Sequence, residues 1–331
     1  MTPTKASLVS LVRHTVEPIP VGLFGSVMGL VGLSISWRLA AAQQGFDAKV
    51  ANVIALVAVL VFVVLTCAYG LKVLTSWSVV RSEFTHPIAG HLFGTVWISL
   101  LLLPIELAPH LPNVARVMWG VGALGMLVYA WVTLNRWLSD RQKWVHATPP
   151  WIIPVVGLLD LPLALPTLGL PVPQELPWLA MSVGLFFMVP LFTVIFARLV
   201  FEEAFPDALR PSLMILLAPF VVGASACMAV MGEVNALAQA LYLVGVFLFF
   251  VLLGQLRHLM SCCPFRVSWW AVSFPLAALS IAAHRYAMAV PSVVAKGLAT
   301  AFWIVATVVI AGLFVRTIWG LVRGELRTLT A

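Results

Sequence analysis

The stretch VSWWAVSFPLAALS, residues 267–280, is apolar enough to cross a membrane, yet it carries a Phe-Pro pair in its middle. Proline removes a backbone donor and kinks a helix, and in lipid every backbone polar group must find its partner within the protein. Such irregular backbone is tolerated at membrane depth where it is buried in protein or lines a water-filled cavity. The stretch therefore predicts a helix in the interior of a membrane protein.

The composition indicates the same class. Hydrophobic residues make up 62% of the 331 residues and charged residues only 9%, whereas a soluble domain carries roughly 25% charged residues. A helix that crosses a bilayer needs about 20 apolar residues. Ten such runs predict an all-α integral membrane protein with ten transmembrane helices, at residues 20–42, 50–74, 88–109, 112–136, 149–168, 178–201, 211–231, 234–257, 267–290 and 295–321.

The polar segments between the runs are short, which predicts a single transmembrane domain over residues 1–331. It comprises a short cytoplasmic N-terminal segment (1–19), a ten-helix domain (20–321) and a short cytoplasmic tail (322–331). An alternative for the first run is a cleaved signal peptide, because LAAAQQG at 39–45 resembles a cleavage site. The run is longer than the roughly 7–15 residues of a signal-peptide core, which favours a span.

The net charge of +7 reflects membrane topology rather than a nucleic-acid partner. The nineteen Lys and Arg residues lie between the runs or near their ends instead of forming a patch with interleaved aromatic residues. If the N-terminus is cytoplasmic, fourteen of them fall on the cytoplasmic side and five on the other. Because positive residues concentrate in cytoplasmic loops, we expect both termini to be cytoplasmic, in a multi-pass protein of the cell (inner) membrane.

The chain lacks the residue clusters that an enzyme or a metal site would need. Cys67 and Cys227 lie within predicted spans and Cys262 and Cys263 are adjacent, so no disulfide framework is implied. Catalysis within a membrane requires grouped His, Asp, Glu or Cys side chains, and the spans offer one central carboxylate, Asp160. The sequence predicts no enzyme activity, no cofactor and no metal.

A two-helix unit is repeated five times along the chain. Each odd-numbered run begins just after a proline, and the steps between these prolines are 67, 63, 61 and 53 residues (Pro20, Pro87, Pro150, Pro211 and Pro264). Repeats of this size indicate one supersecondary unit stacked against copies of itself. We therefore expect five helical hairpins around an axis.

The odd helices are the better candidates for the inside of this ring. They carry five internal prolines and many small residues, whereas the even runs are more uniformly aliphatic and suit a lipid-facing position. The internal prolines are Pro104, Pro154, Pro162, Pro219 and Pro275. Kinks at these positions are consistent with a pore, and packing alone is the alternative, because proline is common in transmembrane helices.

Five motifs in this order resemble the tellurite-resistance and dicarboxylate transporter family: PVGLFGSVMGLVGLS, HPIAGHLFGTVWISLLLLP, PPWIIPVVG, LRPSLMILLAPFVVGASA and VSWWAVSFPLAALSIA. That family includes bacterial TehA-like proteins and the slow-type anion channels of plant guard cells. The resemblance covers about residues 18–320. It implies five hairpins around a central pore, the passage of anions, and a homotrimer in which each subunit has its own pore.

The resemblance also implies a gate. In the family a phenylalanine of the ninth helix closes the pore, and by motif position this residue is Phe274, followed here by Pro275. A bulky ring in a narrow apolar pore blocks hydrated ions sterically and by dewetting. Gly22 and Gly25 of the first helix are expected to leave room for that ring. The alternative is that Phe274 is a packing aromatic.

Four further residues are candidates for lesser roles. Phe93 and Phe220 occupy comparable places on the third and seventh helices and are candidate pore-lining residues, with packing as the favoured role. Arg285 at the end of the ninth helix and Lys296 at the start of the tenth are candidates for attracting anions to an outer mouth. Snorkelling at the membrane interface is the alternative for both.

Asp160 is an ionisable residue at predicted membrane depth, and such residues are functional by default. A carboxylate that faces an anion path repels the permeant ion unless it carries a proton, so Asp160 is a candidate for proton coupling. The alternative is a carboxyl group that bonds to a kinked neighbour or lies near the outer mouth. Asp160 also departs from the family pattern, in which an apolar residue is common.

Two functions follow from these features. The first is a channel or transporter for small anions such as chloride or nitrate, because the odd helices carry almost no fixed charge and an ion must leave a pore as easily as it enters. The alternative is a proton-coupled carrier for a C4-dicarboxylate, sulfite or tellurite. The expected partners are these anions, the lipid bilayer and further copies of the chain, with no nucleic acid.

Overall fold

The computed structural model describes residues 13–203, 205–256 and 265–330, which form an all-α bundle. Within them, ten helical spans are long and apolar enough to cross a membrane; in chain order, spans 1 to 10 are Val21–Gln44, Lys49–Thr75, Ala89–Leu107, Pro112–Ser139, Pro149–Leu168, Glu175–Phe201, Asp207–Met231, Ala236–Gln255, Val267–Ala289 and Val293–Val322. Every span ends within four residues of its predicted limits, which confirms the predicted fold class. Residues 1–12, Pro264, Cys262 and Cys263 lie outside the described residues.

Burial alternates along the chain. In the odd spans, 61 to 78% of the most apolar window is buried, compared with 11 to 39% in the even spans. A helix that is buried all round belongs to the core, whereas one with exposed aliphatic residues faces the surrounding solvent, which for this composition is lipid. The prediction that odd helices are inner and even helices outer is confirmed.

The five odd spans form a closed ring. Spans 1, 3, 5, 7 and 9 each pack against the next odd span, and span 9 packs along span 1. Within the hairpins, spans 1 and 2, 3 and 4, and 9 and 10 also pack against each other over much of their length. The repeat seen in the sequence is therefore a ring of five hairpins around one axis.

Each odd span opens as a 3-10 helix. These segments are Val21–Leu23, Ala89–Phe93, Pro149–Ile152, Asp207–Leu217 and Val267–Val272, and span 5 contains a second one, Gly157–Ala164. Runs of 3-10 helix longer than three or four residues are uncommon and often mark functional segments. All five lie at the same end of the ring, because every second span crosses the bundle in the same direction.

The prolines mark the change from 3-10 to α-helix. Pro154 and Pro219 are the second residues of the α-helices Ile153–Val156 and Ala218–Met231, and Pro275 is the third residue of Ser273–Ala289. An α-helix leaves the N–H groups of its first turn without intrahelical partners, so a proline there removes little bonding. This position explains why a Phe-Pro pair is tolerated inside span 9. Pro104, by contrast, lies inside the α-helix Gly94–Leu107.

A buried ion pair fixes the start of span 1. Lys72 donates to a Glu83 carboxylate oxygen at 2.9 Å and to the Ile19 carbonyl at 2.7 Å. The other Glu83 oxygen accepts from the backbone N–H of Val21 at 2.7 Å, and the Tyr69 hydroxyl donates to the carboxylate at 3.0 Å. Glu83 belongs to a short helix between spans 2 and 3, Trp77–Thr85. The carboxylate therefore joins that helix to the end of the ring where span 1 begins.

Candidate functional site: two cavities on the axis

A cavity of about 280 Å³ occupies the 3-10 end of the ring. All five odd spans contribute to its wall, through their 3-10 segments and the beginnings of the α-helices that follow, and the lining is largely aliphatic or small. Leu329 and Thr330 of a terminal helix, Leu326–Thr330, also line it, together with Arg266. The cavity is therefore axial, and the chain after span 10 folds back to its wall.

A second, much smaller cavity of about 20 Å³ is lined by the same five spans, through the α-helical parts of spans 1, 3, 7 and 9 and through Leu163 of the second 3-10 segment of span 5. Its wall is made by Gly32, Ile35, Leu102, Ile105, Leu163, Val222, Ser225, Phe274, Ala278, Ile281 and Arg285. Phe274 and Val222 line both cavities. The two cavities are thus consecutive parts of one axial path.

Phe274 lies where the two cavities meet. The residue is 8% exposed and is the second residue of the α-helical part of span 9, directly after the 3-10 segment ends at Val272. The change in helix type therefore determines where this ring projects. A ring that borders a wide cavity on one side and a narrow one on the other is in a position to close the path.

The glycine that lies against this ring is Gly32, rather than Gly22 or Gly25. A Cβ atom built on Gly32 would lie 3.7 Å from Cδ2 of Phe274. One on Gly22 would instead meet Cδ1 of Leu92 at 2.9 Å, and one on Gly25 would have no heavy atom within 4 Å. Gly22 and Gly25 line the larger cavity, as Phe274 does, without a contact to its ring, so the expectation that they leave room for it stays a prediction.

Span 1 approaches span 9 through two glycines that the sequence reasoning missed. A Cβ atom on Gly29 would collide with the Ser273 side chain, and one on Gly32 would lie 2.7 Å from the Cβ of Ala277. The spacing of the glycines was the available signal, because positions 22, 25, 29 and 32 fall on one face of an α-helix. Gly29 and Gly32, the later two of these four glycines, pack against span 9.

Asp160 lies in the wall of the larger cavity, on the second 3-10 segment of span 5. The residue is 2% exposed, and its Oδ1 atom has no hydrogen-bond partner in the described part of the chain. No salt bridge among those residues includes it. Asp160 is therefore a buried acid that faces the path without a compensating cation.

Phe93 and Phe220 are not brought to the path. The Phe93 ring packs edge-on against Phe84, with centroids 5.1 Å apart, and the Phe220 ring packs edge-on against Phe192 at 5.4 Å. Neither residue lines either cavity. Both rings thus pack against other aromatic residues, and the packing role that the sequence reasoning favoured stays a prediction.

Arg285 and Lys296 have different environments. Arg285 lines the smaller cavity, whereas Lys296 is exposed near the start of span 10 and lines neither cavity. The charged residues in the two walls, among the residues described, are Asp160, Arg266 and Arg285. A path with so few fixed charges suits a solute that must leave as easily as it enters.

A closed ring of inner helices around an axial path, inside an outer ring that faces lipid, is the architecture of a membrane channel or transporter. The chain belongs to the SLAC1 family, described as voltage-dependent anion channels, which matches residues 18–318. It is therefore a multi-pass membrane protein of an anion channel and transporter family rather than an enzyme. The predicted relationship to TehA-like proteins and guard-cell channels is confirmed.

Individual relatives include both groups. The chain is 26% identical to the S-type anion channel SLAH3 of Arabidopsis thaliana over 90% of its length and 48% of the relative's, and 24% identical to the guard cell S-type anion channel SLAC1 of that plant over 90% and 55%. It is 26% identical to the tellurite resistance protein TehA homolog of Haemophilus influenzae over 93% and 92%. The chain thus spans about half the length of the plant relatives and most of the bacterial one.

Proposed function

We propose that the protein conducts small anions such as chloride or nitrate along the axial path, and that the Phe274 ring closes the path. The observation that carries the proposal is the position of Phe274 in the walls of both cavities. A ring at such a junction excludes a hydrated ion by its size and by the apolar surface that it presents. Gating then requires only that one side chain move.

The test is the anion current of purified protein in a planar bilayer. Phe274→Ala is expected to conduct chloride and nitrate where the wild type is nearly silent, because removal of the ring joins the two cavities. Phe220→Ala is the matched control, since Phe220 belongs to another inner span and lies off the path. A Phe274→Ala protein that elutes like the wild type and passes no more anion than empty liposomes would contradict the proposal.

A second candidate function is a proton-coupled carrier for a C4-dicarboxylate, sulfite or tellurite. It is favoured by the buried Asp160, whose Oδ1 atom lacks a partner at the wall of the larger cavity. A carrier would take up its substrate saturably when a proton gradient is applied, and Asp160→Asn would abolish this uptake. If Asp160→Asn leaves the uptake unchanged, Asp160 has no role in proton coupling. An anion current through the Phe274→Ala protein that does not depend on pH favours the channel over the carrier.

The topology and assembly belong to the same proposal. We place both termini on the cytoplasmic side of the cell (inner) membrane because fourteen of nineteen Lys and Arg residues then face the cytoplasm. We also propose a single transmembrane domain and, by resemblance to the family, a homotrimer with one path per subunit. Light scattering of the detergent-solubilised protein tests the trimer, and labelling of a cysteine introduced at Thr330 from either side of the membrane tests the orientation.

A further inference from the structure

The smaller cavity contains two polar side chains in an otherwise aliphatic wall. Ser225 comes from span 7 and Arg285 from span 9, and the remaining lining residues are glycine, alanine, aliphatic residues and Phe274. A guanidinium group and a hydroxyl are both hydrogen-bond donors. Because both residues line one small cavity, a ligand there that accepts hydrogen bonds would suit them.

Arg285 has no compensating acid. Within the described residues, no salt bridge includes it. The acid of neighbouring span 3, Glu106, is paired with Arg38 of span 1 instead. Arg285 is half-buried, and a charge that is partly withdrawn from water is costly unless it is paired. The Arg285 guanidinium is therefore a positive group to which the described part of the chain supplies no acidic partner.

Ser225 is similarly unsatisfied. The residue is 3% exposed, and its hydroxyl has no hydrogen-bond partner among the described residues. Other buried serines of the inner spans donate to a backbone carbonyl, as Ser99 does to Thr95 and Ser273 to Trp270, both at 2.7 Å. A buried polar group without a partner calls for a specific explanation, such as a bound ion or water. The Ser225 hydroxyl is therefore available to a ligand in the cavity.

We infer that Arg285 and Ser225 form a binding site for one small monovalent anion, on the side of Phe274 opposite the larger cavity. The cavity of about 20 Å³ admits roughly one particle of the size of water, so the anion enters without its hydration shell. One guanidinium balances one negative charge, which disfavours a dianion. The low polarity of the surrounding wall strengthens the charge-assisted bond. This inference rests on the proposed function, since it assumes that anions reach the path.

Binding is tested first without any current, by the broadening of the chloride NMR signal in the presence of wild-type protein. We expect the broadening to be lost in Arg285→Ala, partly retained in Arg285→Lys and weakened in Ser225→Ala. Lys296→Ala is the matched control, because Lys296 is a cation that lines neither cavity. Equal broadening by wild type and Arg285→Ala, or equal loss in Lys296→Ala, would overturn the site in favour of a diffuse surface field.

Conduction supplies the second test, in the Phe274→Ala background. Adding Arg285→Ala is expected to raise the half-saturating chloride concentration about tenfold or more, since a hydrogen bond to a charged group contributes at least about one decade to a binding constant. Arg285→Lys should restore most of the effect. A Phe274→Ala channel that conducts, with the same half-saturation when Arg285 is alanine, would overturn the site and leave the pore intact. If the Phe274→Ala protein passes no current but still broadens the chloride signal in a way that depends on Arg285, the site stands and the proposed pore is overturned.

Discussion

Replacement of Gly32 by alanine tests how closely spans 1 and 9 approach each other. The added methyl group would lie 2.7 Å from the Cβ of Ala277. Carbon atoms in contact are normally about 3.5–4.0 Å apart, so the two helices must separate by roughly 1 Å or the side chains around them must rearrange. Overpacking of this kind costs about 1–3 kcal/mol. We therefore expect Gly32→Ala to lower the free energy of unfolding by that amount.

Thermal unfolding of the purified protein in detergent measures the effect. A loss of 1 kcal/mol shifts the melting temperature by about 2 °C in a large domain, so Gly32→Ala is expected to melt roughly 2–6 °C below wild type. Gly25→Ala is the control, because a methyl group there meets no heavy atom within 4 Å. Adding Ala277→Gly removes the opposing methyl group and should restore part of the stability. Equal melting temperatures for Gly32→Ala and Gly25→Ala, or no recovery in the double variant, would refute the close approach.

Three further changes are measured by the same unfolding assay. Lys72→Met leaves the Glu83 carboxylate, only 12% exposed, without its cation, and we expect a loss of about 3–5 kcal/mol. Glu325→Gln breaks an ion pair with Arg316, and the two side chains are 32% and 40% exposed, so we expect a loss below about 1 kcal/mol. Equal losses in Lys72→Met and Glu325→Gln would contradict the role assigned to burial. Trp119→Phe removes a 3.0 Å hydrogen bond to a buried carbonyl of span 5, with an expected loss of about 1–3 kcal/mol; an unchanged melting temperature would argue against that bond.

The limits of the spans were predictable because the length of an apolar run is a local property of the chain. Span 5, for example, begins and ends at the predicted residues 149 and 168. The division into inner and outer helices was also predictable, since most internal prolines and the small residues follow the same alternation, with Pro190 inside span 6 as an exception. Both features depend on residue type alone, so they can be predicted without knowing which residues are in contact.

The contacts around the path were harder to predict. Whether Gly22, Gly25 or Gly32 faces Phe274 depends on how span 1 is rotated about its axis, and packing against span 9 determines that rotation. Ser225 is one small residue in a run of small residues, and only its missing hydrogen-bond partner distinguishes it. Such a property does not exist until the neighbouring helices are in place.

The 3-10 segments determine the shape of the path. A 3-10 helix rises about 2.0 Å per residue, so Asp207–Leu217 extends over roughly 22 Å, a length for which an α-helix would need about fifteen residues. Fewer side chains are therefore available per unit length at that end, where the cavity of about 280 Å³ lies. Around the cavity of about 20 Å³, four of the five inner spans are α-helical, and an α-helix offers more side chains per unit length. The path is a funnel that narrows because the helix type of its wall changes along the axis. Substitutions of wall residues therefore change the chemistry of the lining more readily than they change this narrowing.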